Sequence, residues 1–136
     1  MNTTKPGKKT IIAGSRTITQ TYLLERAIKE CGWEISAVLC GCAAGVDTLG
    51  YEWAQKNNIP ILSYPARWDV HGKAAGPIRN EEMAKDGDAL IALWDGESRG
   101  TRHMCTTMRS MKKSYYVAIV KNGMIEKVYR SVTQSS

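Results

Sequence analysis

A chain of 136 residues, 43% hydrophobic and 24% charged, has the size and composition of a single globular domain, able to bury roughly two-thirds of its unfolded surface. No apolar run approaches the ~20 residues of a membrane span, and the polar N-terminus lacks a signal-peptide core, so a cytoplasmic protein away from membranes is expected. The net charge of +6 admits nucleic acid as a partner, yet much of it lies in Lys5, Lys8, Lys9, Lys112, Lys113, Lys121 and Lys127, the pattern of solvated tails and faces.

Residues 1–9 read as a flexible leader. Thr10–Ala13 is a short apolar strand ended by Gly14-Ser15-Arg16, where glycine permits close approach, serine offers a hydroxyl and arginine can pair with a phosphate. Thr19 or Thr21 can cap the following helix, which places Leu23, Leu24, Ala27, Ile28 and Cys31 on one face and stops at Gly32. Ile35–Cys40 is the second strand. The loop Gly41–Asp47 then opens a helix running to about Asn57. With Gly41 and Gly45 four apart around Cys42, its backbone N–H groups can face an anion at a helix N-terminus. Asp47 either holds a ribose hydroxyl or caps the helix.

Ile59–Tyr64 is the third strand, and residues 65–77 form a longer irregular stretch. There Trp68 offers a base-stacking lid, while His71 reads as an exposed loop histidine. The helix Ile78–Lys85 carries Arg79 near its start, where the dipole gives a cation no support and an anionic ligand justifies it better. Asn80 faces either the same pocket or solvent. Ala89–Leu93 is a buried strand running into Asp95–Thr101, where Ser98, Gly100 and Thr101 can present donors at the N-terminus of a helix over Thr101–Lys112. Asp95 and Glu97 are acid–base candidates or solvated loop charges. Tyr115–Val120 and Met124–Tyr129 flank the hairpin signal Asn122-Gly123, and residues 131–136 are a polar tail.

This order predicts an α/β fold: a Rossmann-like, mostly parallel sheet flanked by helices, with an antiparallel C-terminal edge hairpin, in one domain over residues 10–130. Cys40-Gly41-Cys42 has no matching second pair, so no metal site and no cofactor is expected and the thiols are structural. Three strand–loop–helix junctions converge on a composite anion site at the C-terminal ends of the first, second and fourth strands.

The ordered series IIAGSR, GCAAGVD, AGPIRNEEM and DALIALWDGESRGT, spanning about Thr10 to Val120, resembles the SLOG superfamily. That Rossmann-like group includes the LOG phosphoribohydrolases and the DNA-processing protein DprA. The likeness is strongest to small bacterial and phage members carrying A-G-P-x-R-N-x-x-M. It implies a nucleotide ligand held by these loops, with Arg79 on the family's catalytic arginine and Gly100-Thr101 on its phosphate-binding pair. Two positions depart from the pattern. Met104 stands where LOG enzymes carry a glutamate, and Cys42 replaces the second glycine of G-G-A-x-G-x-D.

The resemblance therefore implies binding of a nucleotide or nucleotide-derived signal, for sensing or sequestration. The alternatives are a nucleoside 5′-monophosphate N-glycosidase, with Asp47, Asp95 or Glu97 replacing the missing glutamate beside Arg79, and a DprA-like DNA-binding module. Exposed strand edges and apolar helix faces make a homo-oligomer the expected assembly.

Overall fold

The computed structural model describes residues 7–131. Its sheet has six strands: β1 (Gly7–Gly14), β2 (Glu34–Cys40), β3 (Ile61–Ser63), β4 (Ala89–Trp94), β5 (Ser114–Lys121) and β6 (Met124–Arg130). They lie in the order β3-β2-β1-β4-β5-β6. The pairings are parallel except β5 with β6, which closes the edge as an antiparallel hairpin. Five α-helices connect them: α1 (Thr21–Glu30), α2 (Val46–Lys56), the single-turn α3 (Trp68–His71), α4 (Ala75–Asp86) and α5 (Arg99–Ser110). The α/β reading of the sequence is borne out.

Strand alternation sorts the core into two layers. Ile12, Val38, Ile91 and Leu93 pack with Leu23, Leu24 and Ala27 of α1 and with Val46, Leu49 and Ala54 of α2. Their neighbours Ile11, Leu39, Leu90 and Ala92 point the other way, onto Met83 and Ala84 of α4 and Met104 and Met108 of α5. Because both faces are covered, β4 is buried along almost its whole length, which explains its unbroken apolar sequence. With no phenylalanine in the chain, methionines fill the α4–α5 layer.

The chain runs from β1 outward to β2 and β3, then returns to place β4 on the other side of β1. The connections leaving the C-terminal ends of β1 and β4 thus diverge and open a crevice there. Gly14 ends β1 opposite Leu93, and a Cβ at Gly14 would sit 2.0 Å from the Leu93 carbonyl oxygen and 2.7 Å from Val46 Cγ2. Only glycine lets the two strands and α2 meet this closely.

Several boundaries differ from the sequence expectation. β1 starts at Gly7 rather than Thr10, so the last residues of the expected leader are strand. Residues 1–6 of that leader and 132–136 of the tail lie outside the described residues. β3 keeps only three residues of the expected Ile59–Tyr64. The stretch 65–77 is not irregular: α3, a 3-10 turn over Gly72–Ala74 and the first turn of α4 fill most of it. Pro77 is the third residue of α4, where a backbone N–H has no helical partner to lose, so the helix begins before it. α5 starts at Arg99, with Ser98 as its N-cap. Gln20, not Thr19 or Thr21, precedes α1, and its side chain makes no capping bond.

Lys113 secures the far end of α4. Its ammonium donates to the carbonyls of Ala84, Lys85 and Gly87, satisfying the orphan acceptors of the helix C-terminus. Hydrogen bonds to a charged donor are worth about 1.5–3 kcal/mol. Lys113→Met should therefore lower stability by about 2 kcal/mol in urea titration and speed hydrogen exchange at the end of α4. An unchanged urea midpoint would show that water replaces the ammonium at no cost.

Candidate functional site

A cleft of about 280 Å³ opens at the C-terminal ends of β1 and β4, lined by Ala13, Gly14, Arg16, Ala43, Asp47, Arg79, Asn80, Met83, Ser98, Gly100 and Thr101. The three loops flagged in the sequence meet here with α4. A larger groove of about 710 Å³ lies away from them, between α5 and the β5–β6 hairpin, and none of the flagged ligand residues lines it.

Arg79 sits in the second turn of α4 and is half-buried. Its Nη1 donates to the Gly41 carbonyl and its Nε to Asn80 Oδ1 at 3.0 Å. A Cβ at Gly41 would lie 2.6 Å from Arg79 Nη1 and 2.8 Å from Asp47 Oδ2. Gly41 therefore makes room for the guanidinium and the carboxylate rather than presenting its own N–H to a ligand. Gly45, at φ 74°, plays a similar part, since a Cβ there would lie 2.4 Å from the Ser15 carbonyl oxygen and 2.5 Å from that of Arg16. Val46 N–H reaches the same Ser15 oxygen at 3.4 Å. The start of α2 is thereby seated on the β1–α1 loop.

Asp47, in the first turn of α2, is only 6% exposed. Burial raises its carboxyl above the usual carboxylate range, while the Ala43 N–H, Arg79 and Arg16 pull it back down. Asn80 is equally buried, and both ends of its amide are engaged. Oδ1 accepts from Arg79, and Nδ2 lies 3.2 Å from the Gly100 carbonyl and 3.2 Å from His103 Nδ1. Ser98 caps α5, accepting from Thr101 N–H at 3.5 Å, and its hydroxyl lies 3.2 Å from that of Thr101. Nothing lies within 4 Å of a Cβ built at Gly100, so that residue keeps the first turn of α5 open.

Some expected site residues lie elsewhere. Ser15 is buried, and its hydroxyl accepts from Asp95 N–H at 2.9 Å, joining two loops instead of facing the cleft. Asp95 folds onto its own loop, accepting from Glu97 and Ser98 N–H at 2.8 Å each; those donors, Ser98 first, hold its carboxyl below the usual range. Glu97 is exposed and outside the lining, as is Cys42. Trp68 is 55% exposed on α3, packs near Gly76 and does not line the cleft. Of the acids considered, Asp47 alone lines it. Met104, at the expected glutamate position, is 1% exposed within the α4–α5 layer, and Met83 supplies the methionine of the lining.

Sequence reasoning missed His103 and Met83. His103 is reached only through Asn80, a partnership between α4 and α5 that no local pattern reports.

Cys42 has φ 63°, the left-handed region favoured by glycine. The left-handed backbone there costs about 1–2 kcal/mol for a residue with a Cβ. Part of that is offset because glycine makes the unfolded chain freer. Cys42→Gly should therefore raise stability by about 0.5–1 kcal/mol, read as a higher urea midpoint. A fall would mean that the contact of Cys42 Sγ with the Cys40 carbonyl, 3.6 Å away, outweighs the strain.

Residues 8–71, from β1 through α3, match the family model described as YAcAr, the YspA, cpYpsA-related SLOG family. Over that segment, a little under half of the chain, the protein is similar to the SLOG superfamily. It is also similar to the Gene 61 protein of Mycobacterium phage D29, 37% identical over 83 residues. That match covers 57% of this chain and 64% of the relative's length. No solved structure matches it significantly. The matched SLOG segment holds two of the three loops; Arg79, Asn80 and the start of α5 lie beyond it. No described helix is long and apolar enough to cross a membrane.

Proposed function

We propose that the protein binds a nucleotide or nucleotide-derived ligand by its phosphate-bearing part, in the cleft between β1 and β4, for sensing or sequestration. The observation that carries this reading is the meeting of Arg16 and Arg79 with the open first turn of α5 in one small cleft. An α-helix N-terminus and guanidinium forks both favour an oxyanion. The likeness of residues 8–71 to the SLOG family supports the same ligand class. At about 280 Å³ the cleft falls just under the ~300–1,000 Å³ of pockets that enclose drug-sized ligands, which suits a sugar phosphate with the base at the rim.

Native mass spectrometry of the protein as purified should reveal a co-purifying nucleotide, and calorimetry with the ribo- and deoxynucleoside monophosphates should find binding to at least one. No bound mass and no heat from any of them would defeat the proposal.

The second reading, N-glycosidic hydrolysis, rests on Asp47 as the carboxylate in the cleft. Free base released from AMP, GMP, CMP or UMP, and lost in Asp47→Asn, would establish it in place of simple binding. For the DNA-binding alternative, two of the cations are already engaged by the protein. Lys113 and Arg130 donate to the carbonyl ends of α4 and α1. A steep salt dependence of oligonucleotide affinity would revive that alternative.

A further inference from the structure

We propose that a second cavity, at the N-terminal edge of the sheet and opposite the candidate site, binds a compact oligophosphate group. Lys8, Lys112 and Lys113, which in the sequence have the pattern of solvated charge, converge there with Arg130 on one cavity of about 700 Å³ that Trp33 and Tyr115 also line. No carboxylate among the described residues lines it, and none lies within ion-pair distance of these four cations. Glu30, at the end of α1, is held instead by Arg26 at 3.1 Å and by the Tyr116 hydroxyl at 2.7 Å.

Two of the cations are fixed by uncharged acceptors. Lys113 donates to the carbonyls at the end of α4, and Arg130 Nη2 donates to those of Glu30 and Cys31 at 2.9 and 3.2 Å. Carbonyls hold these side chains in place without neutralising them. Helices α1, α4 and α5 all end here, yet a helix C-terminus carries only about half a negative charge, so four full positive charges outweigh the three ends. Lys112 is a costly place for a lysine. It has φ 58°, at the position closing α5 that glycine usually takes; its N–H donates to the Arg109 carbonyl at 3.0 Å and that of Lys113 to Met108 at 3.1 Å. Backbone strain at a residue whose side chain lines a cavity points to a use for that side chain.

Like charges gathered around one cavity repel each other, and a ligand with several negative charges relieves that repulsion. A single phosphate would fill only part of about 700 Å³ and meet few of the four cations at once, whereas a chain of two or three phosphates reaches them together. Trp33 and Tyr115 add ring surface beside the charges, so the same chemistry is supplied by a free oligophosphate or by the tail of a nucleoside triphosphate. The cavity shares no lining residue with the cleft between β1 and β4, and the proposal stands or falls independently of the nucleotide reading.

The probes are tripolyphosphate, orthophosphate and adenosine triphosphate, titrated by calorimetry at low salt. Tripolyphosphate should bind the wild type about ten-fold or more tightly than orthophosphate, and the double variant Lys8→Gln, Lys112→Gly should lose about ten-fold or more of that affinity. Arg79→Ala should leave it within about two-fold, because Arg79 lines the other cleft. In that Arg79→Ala background, adenosine triphosphate binding as tightly as tripolyphosphate assigns the group to a nucleoside, and binding about ten-fold more weakly assigns the free chain. Lys112→Gly alone should raise the urea midpoint while weakening tripolyphosphate binding, a divergence that misfolding does not produce. A lowered midpoint with unchanged affinity would make Lys112 structural and overturn the proposal. Tripolyphosphate binding no tighter than orthophosphate would overturn it too, as would a loss in Arg79→Ala with none in the lysine variants. A single-stranded oligonucleotide held through the two lysines, with no binding of tripolyphosphate, would overturn it in favour of nucleic acid.

Discussion

Met104→Glu is expected to unfold the protein near neutral pH, not to supply a missing catalytic acid. The side chain is 1% exposed and packed in the layer that holds Ile11, Met83, Leu90 and Met108. A carboxylate there would lose its hydration among the cluster's buried side chains, all of them apolar. Fully buried carboxyls have folded-state pKa values raised by up to about 3–5 units, each unit costing 1.36 kcal/mol. With the lost thioether packing, the destabilisation should reach about 4 kcal/mol or more, a large part of a typical domain's 5–15 kcal/mol. The sign of the pH dependence follows. The folded-state pKa of the new glutamate lies above its unfolded value, so the variant is least impaired near pH 4 and loses stability as pH rises toward 7. Urea titrations at the two pH values test this directly. A variant as stable as wild type at pH 7, releasing free base from nucleotides, would instead show that residue 104 reaches the cleft.

How far the sequence could be read depended on whether the signal was local. Ile11–Ala13 and Ala89–Leu93 are apolar on consecutive positions because both sheet faces are covered, and that pattern survives without any tertiary knowledge. Asn122-Gly123 forms its hairpin with φ 51° and 73°, which those two residues adopt readily. The Arg79, Asp47 and Ser98–Thr101 groups were legible as one site because the switch-point rule converts strand order into position. The single turn Trp68–His71 was not, since four residues carry no helical period. Met104 was read through its place in a motif, whereas helix phase decides its surroundings: Met104 and Met108, four apart, lie on the buried face of α5. Ser15 and Asp95 illustrate the remaining gap. Both are polar loop residues beside the cleft, yet their hydrogen-bonding groups serve the loops themselves, and only three-dimensional pairing reveals it.

Arg79→Ala should reduce affinity for a nucleotide phosphate by roughly 10- to 100-fold while barely moving the melting temperature. Charge-assisted hydrogen bonds contribute about 1.5–3 kcal/mol each, and 1.4 kcal/mol is a factor of ten in affinity. The geometry explains why stability should be spared. Arg79 has no carboxylate partner among the described residues, and its protein contacts are the Gly41 carbonyl and the adjacent Asn80 amide. Gly41 is buried beside the cleft-lining Arg79, and the space left by the shortened side chain lets water from the cleft replace the lost donor. Asn80 keeps its contacts with Gly100 and His103, so α4 and α5 remain tied. Arg79→Lys should recover only part of the affinity. An ammonium keeps the charge but cannot hold the Gly41 carbonyl and Asn80 Oδ1 with one planar fork while presenting further N–H groups to the ligand. Calorimetry and thermal melting on the same two variants separate the possibilities. An alanine variant that melts far below wild type would make Arg79 a structural residue. One that binds as tightly as wild type would place the phosphate outside this cleft.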